Sequence, residues 1–141
     1  MTEPAGIAVA EAGPALAGFT GAKRRFELRG TTASGATVYD DYAHHPTEVR
    51  ATLEAARTLG ARRVIAAFQP HLYSRTRKLA SEFGRALALA DAAHGRRVWW
   101  TPTHDDAQRL LERVLEPGDV LVTLGAGDVD RLAERLVAPA R

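Results

Sequence analysis

The chain has 141 residues, of which 45% are hydrophobic, so it can bury one sizeable core but not two ordinary domains. It contains no cysteine, which excludes disulfides, thiolate metal sites and cysteine nucleophiles. The 19 basic and 17 acidic residues are interspersed and give a net charge of +2, so we expect no nucleic-acid partner. Because no apolar run is long enough to span a bilayer and no secretory signal is apparent, we expect a cytoplasmic protein without a membrane partner.

The first half of the chain predicts a hairpin, a helix and a buried strand. Residues 1–16 are rich in Ala, Gly and Pro and only weakly periodic, which is typical of a poorly packed lead-in. Period-two patterns, helical spacing and the turn residues between them then predict elements in this order. They are a strand at 26–28, a turn at 30–35, a strand at 36–40, a helix at 48–59 and a strand at 63–68.

The second half continues the alternation of strands and helices. After a polar loop at 69–77, the predicted elements are a helix at 79–89, a strand at 98–101, a helix at 105–114, a strand at 120–124 and a helix at 129–137. Such alternation is typical of a parallel sheet with helices on both faces. We therefore predict an α/β fold: a three-layer, Rossmann-like, mostly parallel sheet with one antiparallel edge from the hairpin.

Polar or glycine-rich loops follow three of the predicted strands, at 40–48, 69–76 and 125–128. The carboxyl ends of parallel strands lie at one edge of a sheet, where ligands bind in open α/β folds. Gly125 and Gly127 permit close backbone approach and an exposed helix N-terminus, which could accept an anion. No Gly-x-x-x-x-Gly-Lys-Ser/Thr sequence occurs, so the chain lacks the phosphate-binding loop of P-loop nucleotide hydrolases.

The order and spacing of residues 40–48, 68–76 and 118–128 resemble the C-terminal domain of Mur ligases, in particular those that join L-alanine to UDP-N-acetylmuramate. The branch that ligates a recycled tripeptide usually has phenylalanine in place of Tyr42 and lacks the pattern of residues 68–76. The resemblance implies two segments. Residues 1–22 would be a remnant of the exit from the family's central domain with its linker, and residues 23–141 the C-terminal, amino-acid-binding domain.

The resemblance also implies a reaction in peptidoglycan precursor synthesis. In that family ATP phosphorylates the carboxylate of UDP-N-acetylmuramate, and the amine of L-alanine attacks the acyl phosphate. The N-terminal domain holds the UDP-sugar, the central domain holds ATP and magnesium, and the C-terminal domain closes to deliver the amino acid. We therefore expect L-alanine as a partner of this chain, ATP and UDP-N-acetylmuramate as partners only with the missing domains, and no activity of the chain alone.

Four residues are predicted to bind L-alanine. Arg75, which matches an arginine of the family's loop, suits the substrate carboxylate because a guanidinium group can bind a carboxylate with two hydrogen bonds. His71 is the predicted catalytic residue, which orients the alanine amine or accepts its proton. Tyr42 and His44 are expected to form the other side of the pocket.

Other polar residues of the first loop have two interpretations. Asp40 and Asp41 either contact ATP or fix the turn through bonds to backbone N–H groups. His44 and His45 are adjacent and point to opposite sides, so one of them is expected to brace the turn before the helix. A two-histidine metal site is the rival interpretation, but adjacent histidines suit one metal poorly and no third ligand is evident, so no metal is predicted. Glu48 lies in the first turn of the predicted helix, where its negative charge is expected to interact favourably with the helix dipole.

The chain departs from the family pattern in three places. Leu72 stands where many members have arginine. After Ala93 the chain passes almost directly into the predicted strand at 98–101, so a supersecondary piece of ~20 to 30 residues is missing. Its absence is expected to remove a central or near-central strand and to expose apolar faces of the sheet. The resemblance also leads us to expect the family's two preceding domains, which residues 1–141 do not include. The alternative hypothesis is a non-catalytic α/β binding or regulatory module, or a non-functional remnant of such a ligase.

Overall fold

The computed structural model describes residues 22–91 and 98–137, which form four strands and five helices. The strands are β1 (Glu27–Thr31), β2 (Thr37–Asp41), β3 (Arg63–Phe68) and β4 (Asp119–Leu124). The helices are α1 (Pro46–Arg57), α2 (Tyr73–Lys78), α3 (Ala80–Leu87), α4 (His104–Val114) and α5 (Asp130–Leu136).

The strands form one open sheet in the order β1-β2-β4-β3. β1 runs antiparallel to β2, whereas β2 and β3 both pair with β4 in parallel. The registers place Asp41 and Phe68 opposite Leu124, so the carboxyl ends of the three parallel strands are level at one edge of the sheet. The prediction of a mostly parallel sheet with one antiparallel edge is confirmed.

Two apolar clusters cover the two faces of the sheet, as the predicted three-layer arrangement requires. On one face the buried residues of α4 and α5 pack on Val38, Ile65 and Leu121. On the other face α1 and α3 pack on Val64 and Val122. Every residue of β4 is buried, which agrees with its central position between two parallel neighbours.

The two longest helices start at capping residues that the sequence supplies. Thr103 precedes α4 and its hydroxyl accepts the N–H of Asp106. α1 has Pro46 at its first position, where the missing N–H costs nothing, and His45 as its N-cap. Among the residues described, no helix is long and apolar enough to cross a membrane.

Two predicted elements are wrong. Residues 98–101 form no strand: Trp99 packs on the core cluster of α4 and α5 and Trp100 is 84% exposed, so the alternation is present, but no neighbouring strand pairs with it. The segment predicted as a polar loop at 69–77 contains the helix α2, which buries no residue. A helix without an apolar face leaves no periodic pattern in the sequence.

Smaller differences concern the ends of elements. β1 begins and ends later than the predicted strand at 26–28 and includes a bulge between Leu28 and Gly30. Gly30 has a φ of 138°, and the side chain of Val137 lies against its α-carbon, which leaves no room for a side chain there. The lead-in at 1–16 and most of the junction after Ala93 lie outside the described residues.

The sheet remains continuous despite the missing piece after Ala93. β2, β4 and β3 pair without a break over five to six residues each, so the expected loss of a central strand does not separate them. Within the described part of the chain, β3 is instead an edge strand.

Replacement of Gly125 by alanine is expected to lower the free energy of unfolding by about 1–3 kcal/mol. Gly125 has a φ of +150°, and an added Cβ would lie 2.7 Å from the carbonyl oxygen of Gln69. The matched control is Gly84→Ala in α3, where an added Cβ meets no atom within 4 Å. Because alanine favours helices, the control should gain up to about 1 kcal/mol in urea denaturation; equal effects of the two changes would contradict this account.

Candidate functional site

Three loops at the carboxyl ends of the parallel strands, residues 41–45, 69–72 and 125–129, form what we call the rim. Gln69 joins the second loop to the third. Its backbone N–H donates to the carbonyl of Leu124 at 2.9 Å, and its side-chain amide donates to Asp128 at 2.9 Å. The side-chain oxygen of Gln69 accepts the N–H of Val129 at 3.1 Å.

The glycines of the third loop make room for Gln69. An added Cβ at Gly125 or Gly127 would collide with the backbone or the side-chain oxygen of Gln69. The N–H of Val129, at the start of α5, is already bound to Gln69. The glycines thus serve close packing within the rim, and the anion-binding interpretation gains no support from these contacts.

Arg24 connects the same loop to the end of β2. Its Nε donates to Asp40 at 2.8 Å, and its Nη1 and Nη2 donate to the carbonyls of Gly127 and Gly125 at 2.9 and 2.7 Å. We call this set of contacts the Arg24 bridge. The guanidinium carbon also lies 5.2 Å from the centre of the Tyr42 ring, a cation–π distance.

The backbone of Arg24 is held as tightly as its side chain. Its carbonyl accepts the N–H of Tyr42 at 2.7 Å, and its N–H donates to Glu27 at 2.8 Å. Its φ of 55° is uncommon for a residue with a side chain. Such strain persists where surrounding contacts enforce it, and it occurs often at functional sites.

Asp40 and Asp41 point to opposite faces of the sheet, as adjacent strand residues do. Asp40 is fully buried and accepts from Arg24 and from Thr123 at 2.6 Å. Asp41 accepts the N–H of Ala43 at 2.8 Å, and its other oxygen accepts the N–H of Phe26, directly before β1, and the hydroxyl of Thr52 in α1. These contacts support the interpretation in which the two carboxylates fix the turn. Because each of their oxygens already accepts a hydrogen bond within the chain, the contacts do not support the predicted ATP contact.

The structure brings three of the predicted substrate residues together. The rings of Tyr42 and His44 meet edge to face with 5.3 Å between centres, and those of His44 and His71 with 6.4 Å. His44 Nδ1 lies 3.0 Å from the carbonyl of Tyr42, and because a carbonyl only accepts, this nitrogen donates. The other ring nitrogen of a neutral His44 is then an acceptor.

His45 has the structural role expected for one of the two adjacent histidines. Its Nδ1 accepts the N–H of Thr47, and Glu48 accepts the N–H groups of His44 and His45 at 3.0 and 3.1 Å. Together these bonds form a capping box at the start of α1. Partial burial acts to raise the pKa of Glu48, but the N–H bonds and the nearby imidazoles outweigh it, so the pKa is lowered from its ordinary value.

Arg75 lies in α2, the short helix of the second loop. Its Nη1 is buried, and among the residues described this atom has no hydrogen-bond partner. A buried donor without a partner is costly, so a bound anionic group would stabilise it. Leu72, the residue before α2, has a φ of 65° and is 53% exposed, so strain also occurs on this side of the rim.

Sequence patterns did not reveal two contributors to the rim. Arg24 lies in a basic run that resembles a linker, and nothing local marks its distant partners. His104, at the start of α4, lies 3.6 Å from Asp128 across the third loop. Gln69 donates to Asp128 and is the main cause of its lowered pKa, ahead of the charge of His104. In the described part of the chain, no group of three His, Cys, Asp or Glu side chains could hold a metal ion.

Comparison with known proteins identifies the class to which this fold and rim belong. The family described as Mur ligase, glutamate ligase domain, matches residues 24–127, so the chain belongs to the Mur ligase family as its C-terminal domain. Among curated relatives, the UDP-N-acetylmuramate–L-alanine ligase of Mycolicibacterium smegmatis is 46% identical over 153 residues, covering 89% of this chain and 32% of the relative. The enzyme of that name from Streptomyces coelicolor is 43% identical and covers 94% of this chain.

Solved structures show the same fold. The UDP-N-acetylmuramate-alanine ligase of Thermotoga maritima superposes with a TM-score of 0.73 at 24% identity, covering 94% of this chain and 33% of that one. A murein peptide ligase from Psychrobacter arcticus gives a TM-score of 0.64. The chain thus spans about a third of the length of the relatives it matches.

The length of the alignment agrees with the expectation that a segment is missing after Ala93. In the Mycolicibacterium smegmatis comparison the aligned region has 153 positions, whereas 89% of 141 residues is about 125. About 28 positions of the relative, 153 minus 125, therefore have no counterpart in this chain. This number agrees with the piece of ~20 to 30 residues predicted to be absent.

Replacement of Arg24 by alanine is expected to lower the free energy of unfolding by about 3 kcal/mol, because Asp40 stays buried without its charged partner. The control is Arg25→Ala, since the adjacent Arg25 is exposed and its loss should cost less than about 0.5 kcal/mol. Guanidinium chloride denaturation measures both values. The Arg24 bridge would be unimportant for stability if the two variants unfolded at the same midpoint.

Replacement of Glu48 by glutamine is expected to cost about 0.5–1 kcal/mol at pH 7 through the weakened capping box. The lowered pKa of Glu48 means that its stabilisation is complete above the unfolded-state pKa and is lost as the pH falls through the folded-state pKa. The gap between wild type and variant should therefore close in denaturation at acid pH. Glu54→Gln, on the exposed face of α1, is the control; a gap that persists at low pH would refute the assignment.

Proposed function

We propose that the chain is the amino-acid-binding C-terminal module of an ATP-dependent ligase that joins L-alanine to UDP-N-acetylmuramate in cytoplasmic peptidoglycan precursor synthesis. The buried Nη1 of Arg75, which has no hydrogen-bond partner in the described part of the chain, is the observation that supports it best. Arg75 lies in α2, directly after the loop that provides His71, and His71 meets His44 across the rim. Curated relatives of 42–46% identity bear the name of that ligase.

Arg75 is proposed to bind the carboxylate of L-alanine. A carboxylate would satisfy the buried Nη1 and form a charge-assisted hydrogen bond, the stronger kind of hydrogen bond in proteins. A lysine would be a poorer substitute because its ammonium lacks the planar pair of donors. The carboxylate contact would fix one end of the substrate and leave the amine to be oriented by the imidazoles.

The two imidazoles are proposed to handle the substrate amine. His71 is exposed on the rim and would orient the amine or accept the proton that it loses before attack. His44 donates through Nδ1 to Tyr42, so its second ring nitrogen would accept a hydrogen from the amine. Tyr42, packed against both Arg24 and His44, would form the wall of the pocket. Positioning of this kind removes part of the entropic barrier to attack.

ATP, magnesium and UDP-N-acetylmuramate are proposed to bind to the two preceding domains, with residues 1–22 as the linker and residues 23–141 as the module. The carboxylates of Asp40 and Asp41 are engaged within the rim, so we assign no step of the phosphorylation to them. The module would then act only when those domains are present and the closed interface excludes water from the acyl phosphate.

The alternative is a non-catalytic binding or regulatory module, or a remnant that has lost the reaction. The chain covers 32% of the Mycolicibacterium smegmatis ligase and lacks about 28 of the residues within the aligned region, which is the observation that favours this alternative. The two proposals differ in one testable respect: only the first requires L-alanine to bind at Arg75.

Replacement of Arg75 by alanine is expected to weaken L-alanine binding by ~10- to 100-fold, because a charge-assisted hydrogen bond contributes about 1.5–3 kcal/mol. The measurement is a titration of L-alanine into the labelled chain, followed by NMR signals of Tyr42 and His71. Arg77→Ala is the matched control, since Arg77 lies on the same helix with an exposed side chain. D-alanine provides a second control with the same charges.

A second assay tests the complete reaction. The chain is mixed with the part of the Mycolicibacterium smegmatis ligase that it does not match, together with ATP, magnesium and UDP-N-acetylmuramate. Phosphate release that requires L-alanine and falls with Arg75→Ala supports the ligase module. A folded chain that binds no L-alanine and restores no phosphate release would instead support the non-catalytic alternative.

A further inference from the structure

On the outer edge of β3, a short run of backbone groups has no partner among residues 22–91 and 98–137. The N–H of Val64 donates to the side chain of Asp91 at 2.8 Å, and the N–H of Asp91 donates to the carbonyl of Val64 at 2.7 Å. The backbone N–H and C=O groups of Val64 therefore face away from β4. Because alternate residues of a strand present their backbone groups to the same edge, Ala66 and Phe68 face away from β4 as well.

This open run is bounded on both sides. Among the described residues, the N–H and C=O groups of Ala66 and Phe68 have no hydrogen-bond partner on the outer edge. At one end, Asp91 binds the N–H and the C=O of Val64. At the other end the run is followed by Pro70, which has no N–H. The run itself has no charged side chain and no proline, which are the usual protections of an edge strand.

We propose that two copies of the chain associate through this edge, with β3 pairing antiparallel to β3 of the second copy. With a two-fold axis at Ala67, Ala66 of each copy lies opposite Phe68 of the other. Each such pair can exchange two backbone hydrogen bonds, four in all. If the register shifted by two residues, Ala66 or Phe68 would lie opposite Val64 or Pro70 of the other copy. The N–H of Val64 is already bound to Asp91, and Pro70 has no N–H. The register centred on Ala67 therefore forms more hydrogen bonds than either shifted register.

A second copy fits this edge better than an unrelated peptide. The two-residue window is complementary to itself, and residues 66–68 carry no charged side chain that would select another partner. The curated relatives have about 28 residues in the matched region that this chain lacks, so they are not expected to present the same edge. Four hydrogen bonds over a small area predict weak, concentration-dependent association.

The test uses the full chain without ligands. Sedimentation equilibrium from ~10 µM to ~1 mM is expected to show an average mass that rises from 15.2 kDa toward twice that value. Over the same range, the amide protons of Ala66 and Phe68 should become protected from exchange with solvent. Amides elsewhere on the exposed surface should keep their exchange rates.

The variant Ala66→Pro removes an edge donor without removing a hydrogen bond to β4, so it should stay monomeric at every concentration. Ala66→Gly is the matched control, because it changes the same position and keeps the N–H; it should still associate. If the proline variant does not fold, the exchange data on the wild type decide.

Three results would overturn the proposal. The first is a mass of 15.2 kDa at the highest concentration. The second is protection of Ala66 and Phe68 in the monomer, which would mean that another part of the same chain covers the edge. The third is association that persists in Ala66→Pro, which would place the contact on a different surface.

Discussion

The rim depends on one buried charge and the guanidinium group that compensates it. Asp40 is fully buried at the end of β2, where an isolated carboxylate would be costly. Arg24 supplies the opposite charge, and its remaining N–H groups bind the carbonyls of Gly125 and Gly127. The same residue therefore neutralises the strand end and fixes the loop beside it. Arg24 thus acts beside Asp41, which fixes the first loop, and Gln69, which fixes the third.

A second buried arginine–aspartate pair shows what is particular about the Arg24 bridge. At the opposite end of the sheet, Arg63 binds Asp119 through Nε at 2.9 Å and Nη2 at 2.5 Å, and also the carbonyl of Val114. That pair joins the starts of β3, β4 and the end of α4. It contacts no residue of the rim, so it serves the fold alone, whereas Arg24 connects the fold to the proposed amino-acid pocket.

Much of the fold could be predicted from the sequence because both faces of the sheet are covered. A strand buried on two sides leaves a continuous apolar run, as β3 does, and the helices that cover it leave apolar stripes, as α1 does. The failures have the opposite cause. α2 buries nothing, and residues 98–101 have the alternation of a strand but no partner, and neither property is visible in local sequence.

The residues proposed to bind substrate came from sequence patterns, whereas the contacts that connect the loops of the rim did not. The spacing of His44, His71 and Arg75 matched a family pattern, and the structure places His44 beside His71. Strand geometry indicated that one of His44 and His45 braces the turn, and His45 is the N-cap of α1, whereas the substrate role of His44 stays a prediction. The role of Arg24 could not be predicted because its partners are about 16 and 100 residues away in sequence. Contacts of that range depend on the whole topology and leave no local pattern.

The central claim is that Arg24 and Asp40 act as one unit in holding the rim. A double-mutant cycle with Arg24→Ala and Asp40→Asn, followed by denaturant unfolding, measures the coupling between them directly. The account predicts a coupling energy of about 2 kcal/mol or more, since each residue compensates the other in a buried environment. Effects that add to within about 0.5 kcal/mol would show that the two residues contribute independently, and would contradict it.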